Sequence, residues 1–376
     1  MAQQQADLSN WRTPPFSRWA FSNVEAVIPT VAVPKRPTAG ESFTASPVAL
    51  DDLRLGEVAW QDYLAMTETD ALVVLHGDRL VYEFYAPGMA PTTRHILMSA
   101  SKSVVGLVAG ILHEAGRLDV EALISDLVPE IAGTAYRGAT IRQLLDMRTG
   151  VALSENRMPG TPAGLAYRAA AGWDPPPLGQ EPGDLHSFFA TLDVPSEPHG
   201  GPFSYVSANT DLLAWAIERA AGQDFATLSS EALWQPMGAD ADAAITIDRK
   251  GAPRATGGIC ATARDFARLG QLVAARGAGI VPAAWIEDMA QNGDREAWRT
   301  GEFAYFGIPE MRYRSGWYVP AAGTVFAMGI HDQYLFVDLS NRIVLAKLSA
   351  GRVPIEPRAV GLVFAAMQAV KERLLG

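Results

Sequence analysis

A serine and a lysine at helical spacing are the residues whose types could do chemistry. Ser99 and Lys102 are three positions apart in the sequence. Apolar residues follow them at helical spacing, at Val104, Leu107, Val108, Ile111 and Leu112. This period predicts a helix with one buried face and places the serine and lysine side chains one turn apart on it. A neutral amine at that distance can take the proton of the hydroxyl, so the pair can act as nucleophile and base.

The pair needs a particular environment to work. A lysine amine is normally charged at neutral pH, and burial or a neighbouring cation must favour its neutral form. The start of a helix also offers free N–H groups that can stabilise an oxyanion. A structural alternative is a capping Ser99 beside a Lys102 that extends to the surface. The chemical interpretation is favoured because Lys102 alone among five lysines has a serine three residues before it, and its neighbours are apolar.

Composition limits the class of protein. The chain has 376 residues, 48% of them hydrophobic and 19% charged, which is enough for a large core and two domains, or one domain with an insertion. The net charge of −10 argues against nucleic acid or an anionic membrane as partner. We find neither a secretory signal nor an apolar run of membrane-spanning length. The single Cys260 excludes an intramolecular disulfide, so we expect a cytoplasmic protein.

Two other kinds of chemistry find little support. The six histidines do not show the spacing of metal ligands. The segment Ser101-Lys102-Ser103 lacks the glycines of a phosphate-binding loop. We therefore predict no metal site and no cofactor.

The order of predicted elements indicates the fold. We expect helices at 51–66, 122–131, 141–147, 212–221, 261–275 and 357–375, and strands at 71–75, 80–85, 324–329, 334–338 and 343–349. Residues 150–203 are predicted to be a long loop that forms a pocket wall. This order predicts an α+β fold in which both chain ends build one antiparallel sheet, flanked by helices, around a largely helical insertion.

The same pattern predicts three regions. Residues 1–50 form an arm, pinned by aromatic side chains, that wraps the body. A sheet domain comprises residues 51–98 and 245–376, and a helical domain comprises 99–244. The active site is expected between these two domains.

Three motifs carry a resemblance to a known family. They are Ser99-x-x-Lys102, Tyr205-x-Ser207 and the glycine-led strand at 329–333. In this order they resemble the active-site motifs of the serine β-lactamase and penicillin-binding protein superfamily. Segments 140–147 and 262–270 support this. Within the superfamily, the chain resembles the 6-aminohexanoate-dimer hydrolases, nylon oligomer hydrolases with carboxylesterase activity, including the arm segments 11–15 and 18–21 and the segment 205–211.

The resemblance implies a role for each motif. Ser99 would be the nucleophile, Lys102 its base and Tyr205 the group that passes a proton to the leaving atom. The backbone N–H groups of Ser99 and Ile330 would form the oxyanion hole. Supporting or substrate-binding positions are Ser207, Asn209, Trp173, Trp317 and His331. The residues themselves leave alternatives open, since the aromatic side chains could be packed core and Ser207 could cap a helix.

Departures from the family pattern concern the substrate. His331-Asp332-Gln333 replaces the Lys-Thr-Gly of penicillin-recognising enzymes, so a β-lactam carboxylate would bind poorly. Spacing places Arg157 and Arg168 where the nylon hydrolases carry a tyrosine that assists amide cleavage and an acidic residue that holds the substrate amine. Arginine cannot pair with an ammonium group. We therefore expect ester hydrolysis rather than efficient dimer cleavage, and an anionic substrate if these arginines face the cleft.

The sequence therefore predicts a serine hydrolase that cleaves small carboxylic esters, and amides less well, through an acyl-enzyme. The alternatives are a β-lactamase or D-alanyl-D-alanine peptidase, and a non-catalytic binding scaffold of the same fold. The expected partner is a small-molecule ester or amide, with neither nucleic acid nor membrane. A homodimer is the expected assembly if the chain associates.

Overall fold

Three sheets form the β part of the molecule. The computed structural model describes residues 5–37, 43–154, 160–176, 178–179, 181, 183–194 and 196–376. The strands in these ranges are β1 (Thr30–Val33), β2 (Thr44–Ala45), β3 (Arg54–Leu55), β4 (Val58–Ala59), β5 (Thr69–His76), β6 (Arg79–Tyr85), β7 (Arg94–Ile96), β8 (Ala243–Thr246), β9 (Ile259–Thr262), β10 (Arg312–Arg314), β11 (Trp317–Ala321), β12 (Thr324–Gly329), β13 (Gln333–Asp338) and β14 (Ile343–Ser349).

The largest sheet contains strands from both ends of the chain, including β2 from the segment predicted to be an arm. Its strand order is β10-β11-β12-β13-β14-β5-β6-β2, antiparallel throughout except for the parallel pair β2 and β6. At its centre β14 pairs with β5, and Val344 lies opposite Leu75. A second sheet has the order β1-β8-β9-β7, and β3 and β4 form a small third one. The predicted α+β fold with one sheet from both chain ends is therefore confirmed.

Helices cover the large sheet and fill the space beside it. In the described residues they are α1 (Phe16–Ala20), α2 (Trp60–Met66), α3 (Ser101–Glu114), α4 (Ile124–Leu127), α5 (Ile141–Leu145), α6 (Pro162–Ala170), α7 (Leu185–Ala190), α8 (Ser207–Ala221), α9 (Phe225–Ser229), α10 (Ala263–Ala274), α11 (Ala283–Gln291), α12 (Arg295–Arg299) and α13 (Pro357–Leu375). None of them has the length and apolar character needed to cross a bilayer.

The two faces of the large sheet contact two separate cores, as the two-residue period of a strand requires. Val73 and Leu75 of β5 belong to a core shared with α3 and α8. Leu72 and Val74 point the other way, into a core that α2 and α13 cover. The sheet is therefore buried on both sides, and its rigid strands form a support for the residues at their ends.

Helix α3 is the central helix of the first core. Eleven of its fourteen residues are buried, so the helix is enclosed on more than the one face that its apolar spacing predicted. Glycine allows this close packing, because a Cβ at Gly106 would lie 1.9 Å from the carbonyl oxygen of Ser315. The indole Nε1 of Trp285 donates a hydrogen bond to the Gly106 carbonyl at 3.0 Å. These contacts fix the position of the Ser-x-x-Lys segment at the start of α3.

The N-terminal arm packs on the second sheet through two of its aromatic residues. Trp11 and Phe21 are buried, in a cluster that includes Trp173 and Met98. The indole Nε1 of Trp11 donates to the carbonyl oxygen of Trp173 at 3.0 Å. Trp19, in contrast, is 44% exposed. The arm thus brings residues from the start of the chain next to the segment that carries Ser99.

Several predicted boundaries were wrong. Residues 51–66 contain the short hairpin β3–β4 before α2, and residues 150–203, predicted to be a loop, contain α6 and α7. Both helices have side-chain N-caps: the Thr161 side chain accepts a hydrogen bond from the N–H of Gly164, and the Asp184 side chain accepts one from the N–H of Ser187. The glycines and prolines of this region obscured these capping residues in the sequence. Helix α8 begins five residues before the predicted Leu212.

Candidate active site

Ser99 and Lys102 lie side by side at the start of α3. Ser99 is in the 3₁₀ turn Met98–Ala100, which leads directly into the helix. Met98, just before the serine, has a φ of +47°, a conformation that L-residues adopt only where the surroundings enforce it. The Lys102 side chain is buried, and its Nζ lies 3.0 Å from Oγ of Ser99. The structural alternative, in which Lys102 extends to the surface, is therefore wrong. Its amine lies within reach of the hydroxyl proton of Ser99.

Lys102 has further polar partners on its other sides. Its Nζ donates to Oγ of Ser207 at 3.3 Å and to the carbonyl oxygen of Thr256 at 3.1 Å. Ser207 is the first residue of α8, and the N-cap position is occupied by Val206, with no side-chain cap. The capping alternative for Ser207 thus does not hold, and its hydroxyl is directed at the lysine.

Tyr205 completes this group from the segment before α8. The Lys102 Nζ lies 4.7 Å from the centroid of the Tyr205 ring, close enough for a cation–π contact. The ring also packs on Phe303, with centroids 5.1 Å apart. The backbone N–H of Tyr205 donates to Oε2 of Glu302 at 2.9 Å. Residues 99, 102 and 205, distant in sequence, therefore meet in one place.

The end of β12 lies against the turn that carries Ser99. A Cβ at Gly329 would lie 3.0 Å from the backbone nitrogen of Ser99, so only glycine allows this approach. The chain then turns through His331 and Asp332, with φ of +62° and +67°. In the described part of the chain, the N–H groups of Ser99 and Ile330 donate to no other residue. Both amides are therefore open to an oxyanion beside the serine hydroxyl.

A buried ion pair supports the lysine from behind. Asp211 accepts a hydrogen bond from the N–H of Thr256 at 2.8 Å, and the carbonyl of Thr256 binds Lys102. Asp211 also binds the guanidinium of Arg254 and accepts from the hydroxyl of Tyr167 at 2.7 Å. The side chains of Asp211 and Arg254 are 0% and 5% exposed. Sequence reasoning missed this pair, although Asp211 ends the 205–211 motif and lies one helical turn after Ser207.

A cavity of about 470 Å³ opens above Ser99. Its floor is formed by the proposed catalytic region, and Trp173, Phe303 and Tyr305 form aromatic walls. Arg168 lines it as well, so it faces the cleft. The sequence did not single out either Phe303 or Tyr305, which follow a stretch without a recognisable motif. The aromatic walls fit an apolar chain of a small substrate.

One end of the cavity is charged. Asp174 lies there between two guanidinium groups, forming an ion pair with Arg12 from the arm and another with Arg168, whose Nε is 2.7 Å from Oδ2. Trp173, beside this group, is held by a hydrogen bond from its Nε1 to Oγ1 of Thr246 at 3.1 Å. Sequence reasoning assigned no role to Asp174 or Arg12, although Asp174 follows Trp173 and Arg12 lies in the arm segment 11–15.

Other predicted site residues do not reach the cavity. Trp317 is 1% exposed and its Nε1 donates to the carbonyl of Ser103 at 3.2 Å, so it is a core residue rather than part of the cleft wall. Asn209 is fully buried, and its Oδ1 accepts from the hydroxyls of Tyr136 and Thr149.

His331 also points away from the substrate side. Its Nδ1 lies 2.7 Å from the carbonyl oxygen of Gly351, and burial lowers the pKa of the ring, which favours a neutral imidazole that donates to this carbonyl. Arg157 lies outside the described residues.

A second buried lysine lies beneath the loop that carries Ile330. Burial lowers the pKa of Lys347 to about 8, against the opposing effect of the Asp332 and Asp70 charges. Burial likewise raises the pKa of Asp332, although Lys347 opposes this. Lys347 donates to the carbonyl of Thr67 and to Oγ of Ser349. These charges support the turn after β12.

Comparisons with known proteins identify the family. The family model described as Beta-lactamase matches residues 62–369. A 6-aminohexanoate-dimer hydrolase from Paenarthrobacter ureafaciens is 37% identical over 356 residues, which cover 93% of this chain and 89% of the relative.

Solved structures show the same fold. A Bacillus anthracis protein proposed to be a 6-aminohexanoate-dimer hydrolase superimposes with a TM-score of 0.88 at 24% identity, covering 99% of this chain and 100% of the other. A family VIII carboxylesterase superimposes with a TM-score of 0.60 at 16% identity, covering 82% and 96%. The resemblance inferred from the three motifs is confirmed, and the chain belongs to the β-lactamase family.

Proposed function

We propose that the protein is a serine hydrolase that cleaves small carboxylic esters, and amides less well, through an acyl-enzyme on Ser99. The observation that carries this proposal is the 3.0 Å separation between the buried amine of Lys102 and the hydroxyl of Ser99 at the floor of a cavity. The relative named as a 6-aminohexanoate-dimer hydrolase, 37% identical, supports hydrolysis of an acyl bond.

The proposed acylation step uses the residues in turn. Neutral Lys102 takes the proton of the Ser99 hydroxyl while Oγ forms a bond to the carbonyl carbon of the ester. The N–H groups of Ser99 and Ile330 stabilise the negative charge on the carbonyl oxygen. Tyr205, in contact with Lys102, passes the proton to the departing oxygen, and the alcohol leaves.

Deacylation reverses the roles with water as the nucleophile. The Tyr205 and Lys102 pair takes a proton from water, the hydroxide forms a bond to the acyl carbon, and Oγ of Ser99 departs with that proton. The carboxylic acid is released and the enzyme is restored. Esters suit this site better than amides because an alkoxide is a better leaving group than an amide anion, so an ester depends less on protonation of its leaving atom.

The structure disfavours the two alternative functions. For a β-lactamase or D-alanyl-D-alanine peptidase, the third motif would need a cation facing the substrate, whereas His331 is buried and bonded to Gly351. A non-catalytic scaffold would have no use for the buried amine of Lys102 beside Ser99, or for the two backbone N–H groups that are open to an oxyanion. Aminohexanoate dimer is proposed as a weak substrate, because Arg168 faces the cavity where an acidic residue would hold the substrate amine, and the neighbouring carboxylate of Asp174 is already paired with two guanidinium groups.

One set of assays tests the proposal. Short p-nitrophenyl esters, nitrocefin and aminohexanoate dimer are each given to the wild type, to Ser99→Ala and to Ser340→Ala, an exposed serine in the turn after β13. We expect ester turnover that Ser99→Ala abolishes and Ser340→Ala retains. A fluorophosphonate should label the wild type and not Ser99→Ala, as measured by mass spectrometry.

Other outcomes would support the alternatives. Nitrocefin as the best substrate would favour a β-lactamase, and no turnover by the intact protein would favour a scaffold. The division into a sheet domain and a helical domain, the cytoplasmic location and the homodimer stay predictions from the sequence.

A further inference from the structure

Two arginines share one carboxylate at the charged end of the cavity. Asp174 forms ion pairs with both Arg12 and Arg168. All three side chains line the cavity that also contains Ser99, and they are 20–27% exposed. They are therefore accessible to a bound molecule while still partly shielded from water, which strengthens their electrostatic interactions.

The described residues at this end of the cavity carry more positive than negative charge. Among the described residues of the cavity wall, Arg12, Arg168 and Arg254 are cationic and Asp174 is anionic. Asp211, behind the wall, compensates Arg254. Among the described residues, Asp174 thus supplies one negative charge to two guanidinium groups, and this arrangement favours an anion at this end of the cavity.

The arginines are held in place before any substrate binds. The guanidinium carbons of Arg12 and Arg254 lie 5.8 Å and 5.0 Å from the Trp173 ring centroid, and the indole is hydrogen-bonded to Thr246. Nε of Arg168 is fixed on Asp174 at 2.7 Å. A guanidinium that is already oriented loses little freedom when it binds a carboxylate, and the pair can form two parallel hydrogen bonds.

The position of the arginines indicates which part of the substrate they meet. Tyr205, which passes a proton to the leaving group, packs on Phe303. The arginines instead flank Trp173, whose ring approaches Gly257 so closely that a Cβ there would lie 3.0 Å away. Because the leaving group lies on the Tyr205 and Phe303 side in the proposed reaction, the Trp173 side with its arginines is left for the acyl chain.

We propose that the group formed by Arg12, Arg168 and Asp174 is a carboxylate-binding subsite, and that the preferred substrates are esters whose acyl chain ends in a carboxylate. This inference rests on the proposed ester hydrolysis at Ser99, to which it adds a substrate class. It concerns the far end of the acyl chain, which the catalytic residues do not contact.

Matched pairs of esters test the subsite. The mono-p-nitrophenyl esters of adipic and pimelic acid, which carry a free carboxylate, are compared with the mixed diesters in which that carboxylate is methylated. A third substrate is a p-nitrophenyl ester whose acyl chain ends in an ammonium group. The measured quantity is the ratio of kcat/KM for the acid to kcat/KM for its methyl ester. Each ratio compares two substrates on the same enzyme, so a partly unfolded variant leaves it unchanged.

We expect a ratio of about tenfold or more in favour of the acid in the wild type, since a hydrogen bond to a charged group is worth that factor. Arg168→Gln should bring the ratio close to one, Arg168→Lys should retain part of it, and added salt should lower it. Arg276→Gln, which removes an exposed arginine paired with Glu287, is the control and should leave the ratio at its wild-type value.

Several results would overturn the inference. These are a wild-type ratio near one, a preference for the ammonium ester, or a ratio that Arg168→Gln leaves unchanged. Each of them leaves ester hydrolysis itself intact. If no ester is hydrolysed, or if Ser99→Ala hydrolyses them as fast as the wild type, the proposed function fails instead, so the two failures are distinguishable.

Discussion

Replacing Asp211 by Asn tests whether the buried ion pair supports both the fold and the lysine. Asparagine has nearly the same shape, so the change removes a charge rather than volume. The carboxylate of Asp211 binds the guanidinium of Arg254, the hydroxyl of Tyr167 and the N–H of Thr256. An amide directs its NH₂ group at one of these donors, and the guanidinium, only 5% exposed, loses the opposite charge beside it.

The expected effect is large because both side chains are withdrawn from water. Removing one partner of a buried ion pair typically costs ~3–5 kcal/mol of unfolding free energy. Asn keeps part of the hydrogen bonding, so we expect a loss of about 3 kcal/mol, a substantial share of the ~5–15 kcal/mol of a typical protein. The Thr256 carbonyl, which binds Lys102 at 3.1 Å, would shift as well, and kcat should fall ~10-fold to 100-fold.

Two measurements check these values. Urea unfolding gives the free energy of unfolding, with an unchanged m-value as evidence that the same transition is observed. Steady-state hydrolysis of a p-nitrophenyl ester gives kcat. Glu287→Gln, which removes a carboxylate from an exposed pair with Arg276, is the matched control and should change stability by less than ~1 kcal/mol. A loss in Asp211→Asn no larger than in this control would refute the reasoning.

Three further predictions follow from the site. Tyr205→Phe should lower kcat ~10²–10⁴-fold with an unchanged circular dichroism spectrum, because the proton relay is lost; a near-normal rate would exclude the relay. Gly329→Ala should lower kcat and cost ~1–3 kcal/mol of unfolding free energy in urea, since its Cβ would lie 3.0 Å from the nitrogen of Ser99. The control Gly361→Ala, whose Cβ would have nothing within 4 Å, should leave kcat and stability unharmed. Burial lowers the pKa of Lys347 from 10.5 to about 8, so between pH 8 and 10.5 the folded state binds fewer protons than the unfolded state, and the free energy of unfolding should rise with pH. Urea unfolding of Lys347→Met should lack this rise.

The parts of the fold that the sequence predicted correctly depend on local patterns. Alternating apolar residues predicted β12, β13 and β14, and the helix predicted at 141–147 is α5, which begins with a full capping box between Thr140 and Gln143. The helical spacing after Ser99 predicted α3 and the proximity of Lys102. In each case the interactions join residues a few positions apart, so the residue order contains the information.

The residues that were missed depend on contacts between distant segments. Trp317 was expected in the cleft, but a tryptophan at a strand start can point to either face, and here it packs against α3. Asp174 and Arg12 form an ion pair although 162 positions separate them in the sequence, so no local spacing indicates their contact. Helices α6 and α7 were missed because the glycines and prolines around them outweighed their capping residues.

The pairing of β5 with β14 affects how the protein can be made. On the ribosome, β5 emerges long before β14, the strand that covers one of its edges. Until then its apolar side chains and unpaired backbone groups are available for wrong partners, including another nascent chain. Contacts of this sequence separation also make folding slow. Production at lower temperature or with added chaperones should therefore raise the yield, whereas versions truncated before β14 should collect in inclusion bodies.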